Sequence, residues 1–470
     1  MQADFPVTRI IRELSYNSLL PAILFRSSRK QCDSDVEKLG EIRQAVIPEN
    51  ESNIIRDEVN RVIEKYAFQP EVILEHVQYR TLVETGVGAH HAGQLLAWRL
   101  LLEELMSRGL LRMMIATGTV AAGVDFPART VVITSHSKRG SEGFGILLSS
   151  ELQQMAGRAG RRGKDTVGIC LVAPSMFSDA RVIHEVSKRP PEPLKSAYFA
   201  SPSTALNLLK FRNVDDLRFT VSRSLAAFHD AKNANKMREQ AKSMEDEISQ
   251  HESKRDRDHK KDEKRLRRLM KEADELESKQ STQLETTLLR LTKLGFVEGG
   301  GLSEKGYWAA DLCTTLVLEL AEAIHDGIFH DLGSTELAAL VASLAGDQHR
   351  SYFSIKANPI KKEYFTQLEA VLLRIKDAYD GDTPYEVKVL PDAALTMLMW
   401  IDSTDWGEFN SILKLSGVAA GDAARLVSQT ADHLNQIARL SKSHPVLAQI
   451  ALEARKKILK PPLSEAMIID

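Results

Sequence analysis

Apolar and polar positions along the chain follow two regimes. Between residues 20 and 172, short apolar runs alternate with segments of helical period. Residues 20–27 (Leu-Pro-Ala-Ile-Leu-Phe-Arg-Ser) read as a buried strand. A polar stretch with helical spacing follows, from Asp33 to about Val83. The run from Leu95 to Leu105 has helical period, and Gly109 is its stop signal. Further strands are expected at 112–117, 130–134 and 167–172, with a helix over 151–160. Strands alternating with helices predict an α/β domain on a parallel sheet.

After Pro190-Pro191 the strand signals fade, and Leu, Ala and charged residues at helical spacing take over. Residues 231–280 are the sharpest break, with 15 Lys/Arg and 13 Asp/Glu. Apolar positions there run Met237, Met244, Ile248, stop, and resume at Leu266, Leu269, Met270, Ala273, Leu276. That pattern predicts an antiparallel coiled-coil hairpin with a polar tip near 251–264 and arms of about 20 residues, roughly 30 Å each. The alternative is a solvated charged linker. The run Gly295-Phe-Val-Glu-Gly-Gly-Gly-Leu-Ser-Glu-Lys-Gly306 reads as two short strands around a Gly-rich turn. Helices followed by a small β-wing are the layout of a winged helix. From Leu316 onward the pattern is helical, including 421–440.

The 470 residues suggest about three domains. The division expected is an α/β domain over 1–190, a winged helix over 191–315 interrupted by the hairpin at 231–280, and a helical domain over 316–470. A hydrophobic fraction of 43% permits large cores. Cys32, Cys170 and Cys313 lie too far apart for a disulfide scaffold or a Cys-based zinc module. There is no apolar run of membrane-spanning length and no signal-peptide layout at Met1–Arg12, so a cytoplasmic, reduced protein is expected. The net charge of −2 does not predict a nucleic-acid binder, but total charge hides local stripes.

Two clusters carry candidate chemistry. Ala116-Thr-Gly-Thr-Val-Ala-Ala-Gly-Val-Asp-Phe-Pro-Ala128 follows a buried strand. Hydroxyls and bare amides at a strand's carboxyl end suit a ligand in the crevice; an ordinary strand–turn–helix junction has the same composition. In Gln154-Met-Ala-Gly-Arg-Ala-Gly-Arg-Arg-Gly163, Arg158 and Arg161 are three apart and would share a helix face. Guanidiniums stay charged and bind phosphate in a bidentate way; a surface basic patch with helix-ending glycines is the plainer alternative.

Taken together, these clusters resemble the second RecA-like domain of superfamily 2 helicases, in the Ski2-like DExH branch. Gln154–Arg161 resembles motif VI, 116–128 motif V, and Phe25-Arg-Ser-Ser-Arg-Lys-Gln-Cys32 motif IV. His90-His-Ala-Gly93 is similar to a family loop facing the nucleic-acid backbone. The resemblance implies Arg161 as an arginine finger toward an ATP γ-phosphate, with Arg158 beside it and Gln154 orienting groups near the attacking water. Gly123 and Asp125 would lie between nucleotide and RNA. Nucleic-acid contacts would come from Ser28 and Arg29, from the loop His90, His91, Ala92 and Gly93, and from Thr117, Gly118, Thr119, Arg139 and Arg425. No metal site is expected in the protein itself: the His pair has no Cys or carboxylate at ligand spacing. Downstream, Pro193-Leu-Lys-Ser-Ala-Tyr-Phe199 and Leu302-Ser-Glu-Lys-Gly306 resemble the family's winged helix. Trp400, Gly421-Asp422 and Arg425 resemble its helical C-terminal domain.

The sequence also departs from the family. A Gly-Lys-Ser/Thr phosphate loop and an acidic metal-binding strand end, both on the first RecA-like domain, are missing. Gly163-Lys164 is followed by Asp165. Asp57-Glu-Val-Asn60 imitates a DExH box, but its surroundings fit a helix. Leu96 stands where many relatives have Pro, and Arg26 places a charge in the motif IV strand. The loop 135–148 is short and Gly-rich where relatives carry a strand-separating hairpin.

The expectation is therefore the C-terminal half of an ATP-dependent RNA helicase. ATP and Mg²⁺ would be held mainly by a first RecA-like domain, supplied in trans or by a longer chain. Single-stranded RNA, or DNA as in some relatives, is the expected partner; no membrane is. The alternative is a non-catalytic RNA- or partner-binding module that kept the fold.

Overall fold

The computed structural model describes residues 5–42, 46–121, 128–140, 143–175, 177–250, 256–355, 358–379 and 385–463. In the first part lie β1 (Ala22–Arg26), β2 (Val87–His90), β3 (Met113–Thr117), β4 (Thr130–Ile133), β5 (Ser137–Gly140), β6 (Gly143–Ile146) and β7 (Ile169–Val172). β1, β2, β3, β4 and β7 form one all-parallel sheet in the order β2-β3-β1-β4-β7. β1 is buried along its whole length, as a strand covered on both faces must be. Its residues alternate between two cores. Ala22 and Leu24 pack with Val7, Ile10 and Val36 from helices Val7–Tyr16 and Arg29–Gly40. Ile23 and Phe25 pack on the opposite side with Val59, Trp98 and Leu101, from helices Glu49–Tyr66 and Leu96–Ser107.

β2 is a strand that the pattern of residues did not announce. Its sequence is Val-Gly-Ala-His, and a Cβ on Gly88 would come 2.6 Å from Leu102. The glycine is there because a helix packs that closely, and it erases the apolar run that marks a strand. The segment expected as one polar helical stretch divides into helices Arg29–Gly40, Glu49–Tyr66, Pro70–Leu74 and Tyr79–Thr85. Asp57-Glu-Val-Asn60 lies inside the second, with Glu58 paired to Arg61 and Arg108. The Gly-rich loop 135–148 contains the antiparallel hairpin β5–β6.

Past Pro190-Pro191, residues 190–201 run without regular secondary structure into helices Pro202–Leu209 and Val214–Ser222. Helices Leu225–Gln250 and Asp256–Lys293 then pack against each other. They run antiparallel: Arg238 reaches Asp274 at 2.8 Å and also Glu277, and Gln280 donates to Asp230 at 2.9 Å. At 26 and 38 residues they exceed the expected arms. The second helix runs on into the domain below, where Leu284, Leu288 and Leu291 are buried. Of the tip expected near 251–264, residues 251–255 lie outside the described residues, while 256–264, a stretch without apolar residues, already belong to the second helix. A two-residue ribbon, β8 (Val297–Glu298) with β9 (Gly301–Leu302), and helix Glu304–Ala309 follow.

Among the described residues seven α-helices complete the chain, from Val317–His325 to Pro445–Ile458. The architecture is thus α/β with a helical C-terminal part. No helix among the described residues is long and apolar enough to cross a membrane.

Candidate nucleic-acid and nucleotide interface

The carboxyl ends of β1, β3 and β4 open onto a crevice of about 430 Å³, where open parallel sheets bind ligands. Ser27, Gly118, Thr119, Ser135, Lys138 and Gln154 line it. Thr117 ends β3 half-buried, while Gly118 and Thr119 are exposed in a 3₁₀ turn, with the Thr117 and Thr119 hydroxyls 2.9 Å apart. Gly123 and Asp125 lie outside the described residues. The backbone of Arg139 pairs with Phe144 across the β5–β6 hairpin.

Gln154 is exposed near the end of helix Ser149–Ala156. The helix start is capped from a distance. Glu192 accepts from the amides of Ser149 (2.8 Å) and Ser150 (3.0 Å), and the hydrogen bonds from Ser150 hold its carboxyl down at about 2. The helix ends at Ala156, four residues short of the expected 160, because Gly157-Arg-Ala-Gly160 turns out of it and Gly160 sits at φ +92°. Arg158 and Arg161 therefore do not share a helix face, which corrects the sequence reading.

Each arginine has its own partner. Arg158 donates through Nε (3.0 Å) and Nη2 (2.7 Å) to the carbonyl of Ala121. Ala128 and the turn add two backbone bonds, Ala128 N to Arg158 O at 2.9 Å and Gly160 N to Ala128 O at 2.7 Å. The motif V and motif VI segments are thus stitched together. Arg161 grips Asp165 as a fork, Nε to Oδ2 at 2.8 Å and Nη2 to Oδ1 at 3.0 Å. Asp165 also accepts from the Arg161 amide at 3.0 Å. The Arg161 guanidinium pulls the Asp165 carboxyl down to about 2 and is itself raised by that pairing.

The His-His-Ala-Gly loop follows β2. Both imidazoles point inward, with His90 at 4% and His91 at 3% exposure, so neither ring faces solvent as a strand contact would. His90 Nε2 meets Glu103 at 2.7 Å. His91 Nδ1 accepts from the Gly93 amide at 3.1 Å, which fixes the proton on Nε2, and Nε2 donates to Asp33 at 3.0 Å. With both nitrogens of His91 engaged, it has no lone pair to give a metal. The carboxylates that meet this pair come from distant positions, which spacing along the chain did not reveal. Ala92 is the residue of the loop turned outward.

Asp33 is the hub beneath the loop. It also accepts from Gln78 (2.7 Å) and Gln94 (3.0 Å). Gln94 bonds His76 at 2.9 Å, and His76 stacks on Trp98 with ring centroids 3.7 Å apart. Burial pushes His76 down to about 4, so this support is neutral. No motif spacing pointed to Asp33, His76, Gln78 or Gln94. Cys32, beside Asp33, is fully buried, and burial pushes its thiol up, so it is packing and not a nucleophile.

From above, the N-terminus of helix Ala420–Ala438 sits on the loop. The Gly421 amide donates to the Gly93 carbonyl at 3.0 Å, and a Cβ at Gly421 would come within 2.6–2.8 Å of the backbone of residues 92–94. Arg29 Nη1 donates to Asp422 at 2.7 Å, and Arg350 lies 3.7 Å from the same oxygen. Ser28, exposed, caps helix Arg29–Gly40 through the Gln31 amide at 3.2 Å. Arg29 is thus committed to the helical domain. Arg425, one turn beyond Gly421, is exposed. The structure therefore joins the segment 25–32, the His-His-Ala-Gly loop and the C-terminal helix at one junction, with the segments around 117–121 and 154–161 at the neighbouring crevice.

The DSHCT (NUC185) domain family matches residues 299–466. The chain is similar to the Arabidopsis thaliana "DExH-box ATP-dependent RNA helicase DExH15 chloroplastic", 36% identical over 197 residues, which is 42% of this chain and 16% of that protein. It is similar to "Superkiller complex protein 2" of Homo sapiens, 32% identical over 235 residues, 49% of this chain and 18% of that protein. The Homo sapiens "Exosome RNA helicase MTR4" is 28% identical over 209 residues, 44% of this chain and 20% of that protein. The matched stretches span a fifth or less of these relatives' lengths. Residues 299–466 thus carry the match to the DSHCT (NUC185) domain, and the chain is similar over less than half of its length to DExH-box RNA helicases of the Ski2 and MTR4 kind.

Proposed function

We infer that this chain supplies the arginine-bearing and strand-gripping half of an ATP-dependent RNA helicase. Residues 1–190 act as the second RecA-like domain, 191–315 as a winged helix with a hairpin insertion, and 316–470 as the helical domain that closes the strand channel. One observation carries the reading: the docking of Gly421 on Gly93, which joins two parts of the chain into one surface where Ala92 and Arg425 face outward. RNA is favoured over DNA because the similar DExH15 and MTR4 proteins are RNA helicases. ATP with Mg²⁺, bound mainly by a first RecA-like domain, would supply the phosphoanhydride whose cleavage drives each step. Of the residues present, exposed Gln154 at the crevice fits a place beside the nucleotide, and Arg161 fits the γ-phosphate once it exchanges Asp165 for that anion.

The experiment joins this chain, in trans or by fusion, to a first RecA-like domain and measures ATP hydrolysis with and without oligouridylate. RNA-stimulated turnover that is lost in Arg161→Gln is expected. Absence of any Arg161-dependent turnover refutes the proposal. A second reading, a non-catalytic RNA- or partner-binding module, draws on the capture of Arg161 by Asp165. It predicts salt-sensitive RNA binding that ignores ATP in every assembly. Competition between oligouridylate and oligothymidylate separates RNA from DNA preference.

A further inference from the structure

A groove of about 630 Å³ lies where the linker after Pro191 passes the base of the long hairpin, lined by residues other than those of the crevice. One wall is the linker itself, residues 193–199. The other is formed by helices Leu225–Gln250 and Asp256–Lys293. Lys195, Lys232, Lys236 and Lys279 all line it, all are exposed, and none has a carboxylate partner among the described residues. The acid in the groove, Asp230, is taken by the Gln280 amide at 2.9 Å.

At its floor two acceptors are left unanswered. Gln280 is 5% exposed, and the Oε1 atoms of both Gln280 and Gln283 are buried without a hydrogen-bond partner. Unpaired buried acceptors are rare in folded proteins and ask for a donor. The linker adds a third demand. From Leu194 to Ala197 its backbone belongs to no helix or strand and forms no backbone hydrogen bond among the described residues, leaving a row of donors and acceptors open. Leu194 and Phe199 extend the wall with apolar surface at 87% and 59% exposure.

We propose that this groove binds an extended acidic peptide of a partner protein, laid against residues 194–197 as an added strand. Its carboxylates meet the four lysines, its apolar side chains cover Leu194 and Phe199, and its amides answer the glutamine oxygens once those two side chains rotate into the groove. Nucleic acid would satisfy the lysines. It does not offer amides and carbonyls at the repeat that an extended backbone pairs with, so the unpaired linker decides for a peptide.

The test uses the full 470-residue chain and a fluorescein-labelled decapeptide that alternates Glu or Asp with Leu or Val, read by fluorescence anisotropy. Saturable binding is expected, and a basic decapeptide of the same apolar pattern should not bind. Reversing Lys232→Glu and Lys236→Glu together should weaken it at least tenfold with an unchanged melting temperature, since both side chains are exposed. Gln280→Leu should weaken it severalfold while leaving the fold as stable or more so, which a packing role would not do. N-methylation of alternate peptide amides should abolish binding through lost strand pairing. No saturable binding, or binding indifferent to the lysine reversals or to N-methylation, overturns the proposal. So does displacement of the peptide by a ten-nucleotide oligouridylate that itself depends on Lys232 and Lys236, which would make the groove a nucleic-acid surface.

Discussion

Asp422→Asn removes the charge that ties the α/β part to the helical part and keeps the side chain's shape. The Arg29 and Asp422 side chains are 26% and 12% exposed and meet at 2.7 Å. A charge-assisted hydrogen bond contributes about 1.5–3 kcal/mol, and one-sided removal from a fully buried pair costs about 3–5 kcal/mol. Arg29 is open enough to rehydrate, so the lower range applies, about 2 kcal/mol or roughly 30-fold in a local opening equilibrium. Multi-domain unfolding would blur this value. Hydrogen exchange read by mass spectrometry isolates it: segments 90–95 and 419–427 should exchange roughly 30-fold faster, while 284–291 keeps its rate. Arg29→Ala in the Asp422→Asn background should add little, since the two act as one contact. Unchanged exchange at both segments, or fully additive effects, would refute the assignment of this pair as the tie between the two parts.

Three further outcomes follow from the same geometry. Gly421→Ala puts a methyl against backbone at 2.6–2.8 Å, so the helix must lift from the loop. Exchange at 90–95 should rise more than in Asp422→Asn, with no loss of helix in circular dichroism. Asp165, held at about 2 against an ordinary 3.8, contributes stability that is complete above about pH 4 and is lost as pH falls through 2. Carboxyl NMR should find its midpoint near 2, and Arg161→Gln should return it toward the ordinary value. Arg425→Ala should weaken oligouridylate binding about equally for all sequences and reduce the slope of log affinity on log salt by about one, measured by anisotropy titration at several salt concentrations.

The parallel sheet was legible because β1, β3 and β4 are apolar runs buried on both faces, and β7, though largely exposed at the sheet edge, is an apolar run as well, which a sequence displays directly. β2 was not, because Gly88 serves the packing of Leu102 and carries no signal of its own. Motifs V and VI were legible as clusters of small residues and arginines, but their partners were not. That Arg158 would bond Ala121 and Arg161 would bond Asp165 depends on where the helix ends, and the end is set by backbone turns at Gly157 and Gly160. The two histidines were visible, yet their inward direction was not, since Asp33 lies 58 residues from His91. The junction with Asp422 was the least legible of all, because its partners are separated by 393 residues and meet only through the packing of two domains.

The hairpin has a mechanical consequence. Its longer helix is seated by Leu284, Leu288 and Leu291, and by the Thr287 hydroxyl, which donates to the Ala200 carbonyl at 2.9 Å. From that seat to Asp256 the rod runs about 42 Å at 1.5 Å per residue, so a tilt of roughly 5° at the seat swings the far end by about 4 Å. The same ratio works in reverse. A weak pull at the tip arrives at the Thr287–Ala200 contact as a much larger local force, and Ala200 lies on the linker that carries Glu192, the cap of the helix bearing Gln154. Through these contacts the hairpin's long helix is connected, by way of the linker, to the helix that faces the crevice.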